Sequence, residues 1–80
     1  MNWRDLVLDC VQDLCGKKKS RDFTLAEIYR YENEMREHYP DNHHIEAKIR
    51  QQLQYLRDEE TISFVGDRGN YRLEKYYREY

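Results

Sequence analysis

Eighty residues are enough for one small domain, which buries only about 60% of the surface its unfolded chain exposes and so needs a tightly packed core. With 39% hydrophobic and 38% charged residues, one Pro and three Gly, the chain is too apolar for a disordered tail and too polar for a membrane span. The formal net charge of −2 argues against a non-specific coat for nucleic acid.

Trp3, Leu6, Val7, Cys10, Val11 and Leu14 recur at spacings of three and four, which predicts an amphipathic helix over residues 3–15. Asn2 is placed to cap its start and Gly16 to end it. Met1 leads straight into this pattern without a secretory signal, so a cytoplasmic protein is expected. Cys10 and Cys15 point in different directions from one helix, and two reduced thiols are expected. "KKKSR" at 17–21 then carries four positive charges in a predicted loop, either solubilising or phosphate-contacting.

Thr24 and Glu27 form a T-x-x-E capping box, and Phe23 and Ile28 fall at the positions of a hydrophobic staple. The helix they open is expected to run to Tyr39, with Leu25, Ile28, Tyr29, Glu32 and Met35 on its inner stripe. Pro40 disfavours helical geometry at Tyr39. Glu32 fits that stripe poorly: either its carboxylate is paired at the core edge, or the helix is rotated. "DNHH" reads as a turn in which Asp41 or Asn42 caps a third helix over about 43–58. That helix would bury Ile45, Ile49, Leu53 and Leu56. The period then shifts towards 2. "TISFV", "GDRGN" and "YRL" read as a β-hairpin over about 61–73, with Gly66 and Gly69 free to take positive φ and Arg68 at its tip. "DFT" at 22–24 can add a short strand. Residues 75–80 have no clear fate, being a short helix or a frayed end. Tyr76, Tyr77 and Tyr80 there would pack on the first helix or make a homodimer contact. The expected fold is mainly α with a small β-hairpin: a single winged helix–turn–helix domain over 1–80, three helices plus wing.

"PDNHHIEAK" also spells the Pro-Asp and Glu-x-Lys of metal-dependent nucleases. That site needs its acids and lysine converging from adjacent strands. On a helix, Glu46 and Lys48 diverge by roughly 200°. No hard cation would find two oxygens there, so no catalytic residue is assigned. His38, His43 and His44 show no ligand spacing, and neither a metal nor another cofactor is expected.

The face opposite the aliphatics of the third helix suits DNA better. It carries His44, Ala47, Lys48, Arg50, Gln51, Gln54 and Tyr55. Gln can pair bidentately with adenine, Arg with guanine, and an Ala methyl can meet a thymine methyl. Ala47, Arg50, Gln51 and Gln54 are therefore the expected base contacts. His44, Lys48, Tyr55, Arg68 and the run Lys17, Lys18, Lys19 are the expected backbone contacts. The competing reading is a winged helix whose same face docks a protein without sequence-specific DNA binding.

"HIEAKIRQQLQYLRDEETISFVGDRGNYRL" and "FTLAEIYRYE" resemble the C-terminal winged helix of the DpnI-type restriction endonucleases, the Dam-replacing protein family. The resemblance implies a winged helix that binds double-stranded DNA and contributes to recognising methyladenine in GATC. The nuclease domain of those restriction enzymes has no counterpart in these residues. The resemblance therefore implies binding without cleavage, with a separate nuclease or regulatory protein as a conceivable partner.

Overall fold

The computed structural model describes residues 2–79. Its elements are α1 (Trp3–Lys18), β1 (Asp22–Thr24), α2 (Leu25–Tyr29), α3 (Glu32–His38), α4 (Ile45–Asp58), β2 (Ile62–Phe64) and β3 (Asn70–Leu73). The three strands form one antiparallel sheet in the order β1-β3-β2. The segment α2–α4 is the helix–turn–helix, β2 and β3 are the wing, and "DFT" supplies the added strand. This is the winged helix–turn–helix expected from the sequence.

α1 starts as its sequence dictates: the Asn2 Oδ1 accepts the Asp5 amide N–H at 2.8 Å. Leu6, Val7, Cys10, Val11 and Cys15 are buried, and the helix packs on α4. Its end differs from expectation. Gly16 lies buried inside the helix, which continues to Lys18 and turns at Lys19 with φ 56°. Lys17 and Lys18 are good helix formers and suit the negative end of the dipole. The N–H of Ser20 reaches the Cys15 carbonyl at 3.1 Å and that of Lys19 the Gly16 carbonyl at 3.2 Å. That pair of bonds is a Schellman closure.

The capping box forms in full: Thr24 Oγ1 accepts the Glu27 N–H at 3.1 Å and Glu27 Oε1 accepts the Thr24 N–H at 2.9 Å. The long second helix does not. It breaks at Arg30 and Tyr31, whose N–H groups bond three residues back, to Glu27 and Ile28. The break settles the misfit at Glu32. α3 restarts in a new phase with Met35 buried, and Glu32 sits at the edge, paired with Arg36 at 2.9 Å. Trp3 stacks on Tyr39 at 4.4 Å, closing the end of α3 onto the start of α1.

α4 begins at Ile45, and its N-cap residue is His44, with no capping side chain. Asn42 instead folds the turn, its Oδ1 accepting the His44 N–H at 2.7 Å. Cap duty at Asp41 or Asn42 is thus corrected to a local Asx turn. In the wing, Gly66 and Gly69 take φ 62° and 78°, as expected. The alternation of β2 holds only in part. Ile62 is buried, whereas Phe64, in the same register, is 50% exposed. It lies past the helical core, edge-on to Tyr71 at 5.5 Å and beneath the Arg57 guanidinium at 4.8 Å.

Residues 75–79 form neither helix nor strand. Gln12 Nε2 donates to the Tyr76 carbonyl at 2.9 Å, Arg78 reaches Gln12 Oε1 at 3.3 Å, and Arg21 covers the Tyr77 ring at 4.8 Å. These contacts lay the tail along α1. Tyr80 lies outside the described residues.

Candidate nucleic-acid interface

The site is built on α4, whose inner side is fixed by packing. Ile45, Ile49, Leu53 and Leu56 are buried, and Gln52 joins them at 5% exposure. Sequence reasoning missed Gln52, although its place midway between Ile49 and Leu56 was the available signal. The crown of the opposite side is Ala47, Gln51 and Gln54, all exposed. On a regular helix these three span only about 60°. Lys48 and Tyr55 flank the crown on one side and Arg50 on the other.

Three side-chain contacts hold the reading face. Arg4 grips Glu59 bidentately at 2.7 and 2.8 Å, tying the end of α4 to α1. Glu59 is held below its ordinary carboxyl value, with the Arg4 hydrogen bond as the main cause. The Tyr29 hydroxyl accepts a hydrogen bond from Arg50 Nη1 at 2.7 Å, joining α2 to α4. Gln52 Nε2 donates to Gln51 Oε1 at 3.3 Å, so one amide of the crown is oriented from the protein side.

The structure sorts the expected contact residues into groups. His44, Ala47, Lys48 and Gln51 meet with Asp41, Asn42 and His43 around an open depression of about 490 Å³ at the start of α4. Gln54 and Tyr55 continue the exposed surface towards the helix end. Arg50, expected beside the glutamines, is turned to Tyr29 and shares a cleft with Arg68 on the wing. The "KKKSR" run has local partners. Lys17 pairs with Asp13 at 2.9 Å, and Lys18 bridges the Asp22 carbonyl and Glu27 Oε1 at 2.8 and 2.9 Å. Lys19 forms the helix closure, and Arg21 bonds the Leu73 carbonyl at 3.2 Å. Local acids and carbonyls, invisible in a count of charges, account for the difference.

Glu46, Ala47 and Lys48 lie in the first turns of α4, not on a strand, so the nuclease-like lettering does not produce converging ligands. Among the described residues no group of three His, Cys, Asp or Glu side chains is placed to hold a metal ion. Cys10 and Cys15 are free and buried. Loss of solvation pushes their thiols up, to about 12 and about 11, with nearby carboxylates adding to the effect at Cys10. Both are protonated at neutral pH, which makes them poor nucleophiles.

The family model described as the Dam-replacing HTH domain matches residues 1–73. The chain belongs to this family. The match takes in every element from α1 to β3 and stops before the tail. This Dam-replacing HTH domain is thus a DNA-binding helix–turn–helix with a wing, and DNA is its class of partner. Among its described residues no helix is long and apolar enough to cross a membrane.

Proposed function

We propose that residues 1–80 act as one module that reads the sequence of double-stranded DNA with α4 in the major groove. Ala47, Gln51 and Gln54 are its base contacts. The observation that carries this reading is the crown itself: one methyl and two primary amides on an exposed face, backed by a packed stripe and free of acidic side chains until Asp58. An amide offers the acceptor and donor that adenine N6 and N7 require, and Ala47 offers an apolar contact to a methyl group. Methyladenine in GATC is the mark that family membership points to. N6-methylation leaves the remaining N6 hydrogen in the pair with thymine and turns a methyl into the major groove, where Ala47 can meet it while a glutamine Nε2 donates to N7.

His44, Lys48 and Tyr55 contact the strand beside α4, and Arg68 contacts it from the wing. Lys17, Lys18 and Lys19 add at most a long-range attraction, because Lys17 and Lys18 are already paired with acids. The test is titration of fluorescent duplexes at several salt concentrations with wild type, Lys48→Ala and Gln54→Ala. Lys48→Ala is expected to weaken all sequences alike and to lower the salt slope by ~1. Gln54→Ala is expected to lose affinity for a preferred sequence only. Absence of duplex binding at low salt would favour docking of a protein on the same face.

A further inference from the structure

A second depression, about 430 Å³, lies between α4 and the wing, apart from the crown of Ala47, Gln51 and Gln54. Leu25, Phe64 and Tyr71 give it an apolar floor, Arg50 and Arg68 stand at its rim, and Asp67 lines it as well. Backbone hydrogen bonds shape it. The Leu25 N–H donates to the Gly69 carbonyl at 2.8 Å, pinning the wing turn to the start of α2. Val65 N–H closes the hairpin on the Asn70 carbonyl at 3.0 Å. Phe23, Tyr71 and Phe64 form one row across the three strands, and the row runs from buried to half-exposed as it reaches the cleft. Among the described residues, Arg50 gives Nη1 to the Tyr29 hydroxyl at 2.7 Å, which leaves its Nη2 and Nε for a ligand.

The shape of duplex DNA decides what fits. If α4 lies in the major groove, the wing beside it reaches the adjoining minor groove. The ridge between those grooves is a single sugar–phosphate strand, so that ridge must cross the cleft. Its chemistry matches: deoxyribose presents C–H groups to an aromatic and aliphatic floor, and each phosphate presents one negative charge to an arginine fork. Half-exposed Phe64 meets the Arg57 guanidinium and the edge of Tyr71 and keeps the rest of its ring open to a ligand.

We infer that the cleft between α4 and the wing seats one deoxyribose–phosphate step of duplex DNA, with Arg50, aimed by the Tyr29 hydroxyl, as the phosphate ligand. Arg68 completes the cradle from the wing. Asp67 opposes it and weakens binding. Tyr29 is a positioning residue: it touches Arg50 and not the DNA. The inference rests on the placement of α4 in the major groove proposed above. It moves Arg50 from base reader to backbone ligand.

The experiment is a methylphosphonate scan, in which the full chain is titrated with duplexes carrying one neutral linkage at successive positions. At one linkage per bound site, neutralisation should weaken wild type about tenfold and leave Arg50→Ala unaffected, as expected for one charge-assisted contact. Arg50→Ala should weaken all sequences alike and lower the salt slope by ~1, and Arg50→Lys should keep the slope. Tyr29→Phe should lose about threefold at that same linkage with an unchanged melting temperature, and Asp67→Asn should tighten every duplex. If Arg50→Ala loses affinity at one base pair only, or binding survives it with every linkage behaving as in wild type, the cleft assignment fails while the α4 reading stands. If no duplex binds, both fall together.

Discussion

Lys19 carries a strain that its neighbours conceal. It holds φ 56°, a left-handed conformation that costs a side-chain-bearing residue about 1 kcal/mol or more and costs glycine little. Its hydrogen bonds are those of a glycine cap, yet the glycine of this segment, Gly16, stands three positions earlier inside the helix. Lys19→Gly should therefore stabilise the protein by about 1 kcal/mol in urea unfolding. A loss of stability would mean that the lysine charge at the helix end outweighs the strain. Gln52 shows the opposite kind of concealment. A polar residue at 5% exposure costs stability unless it is bonded, and Gln52 bonds the neighbouring Gln51 amide at 3.3 Å. That bond, from Gln52 Nε2 to Gln51 Oε1, orients a proposed base reader.

At the level of elements, the start of α2 is the most strongly specified point in the chain. Two sequence letters, Thr24 and Glu27, produce both bonds of the capping box, and Phe23 and Ile28 are buried beside it. Glu27 feels burial first, which raises its carboxyl. The hydrogen bond and charge of Lys18 together with the bonds at Thr24 outweigh burial and set it below its ordinary 4.5. A carboxyl lowered in the folded state adds stability that is fully present above its unfolded value and is lost as pH falls through the folded one. Glu27→Gln should therefore cost stability at pH 7, on the order of 1 kcal/mol, and little at pH 3. Equal losses at both pH values would show that shape, not charge, carries the cap.

The elements also show what a sequence makes legible. Boundaries with a local cause were readable: the Asn2 cap, the Thr24 box, the Gly66 and Gly69 turn, and the switch of period after Asp58. Boundaries set by tertiary packing were not. The break at Arg30–Tyr31 has no Gly or Pro to announce it. Tyr31 reaches back across the molecule, its hydroxyl donating to Asp13 at 2.8 Å, and burial pushes that hydroxyl well above its usual range. Phe64 shares its register with buried Ile62 and is half-exposed, because alternation gives a face but not how far the core extends along it. The site divided in the same way. Helical period alone gave the crown of α4, but not that Arg50 would turn to Tyr29 or that two of the three lysines at 17–19 would be paired with acids.

At the scale of the whole molecule, the net charge of −2 is spread through local pairs: in the depression lined by Asp9, Asp13, Glu34, Lys17 and Arg78, Lys17 pairs with Asp13 at 2.9 Å and Arg78 with Asp9 at 3.7 Å. The central claim is that the crown reads bases. Its most direct test is competition among methylated, hemimethylated and unmethylated GATC duplexes and a scrambled duplex, with wild type and Gln51→Ala. Wild type should prefer one of the four, and Gln51→Ala should relax that preference tenfold or more, since a bidentate base contact is worth ~1–3 kcal/mol. Equal affinity of wild type for all four duplexes, unchanged by Gln51→Ala, would contradict base reading by α4.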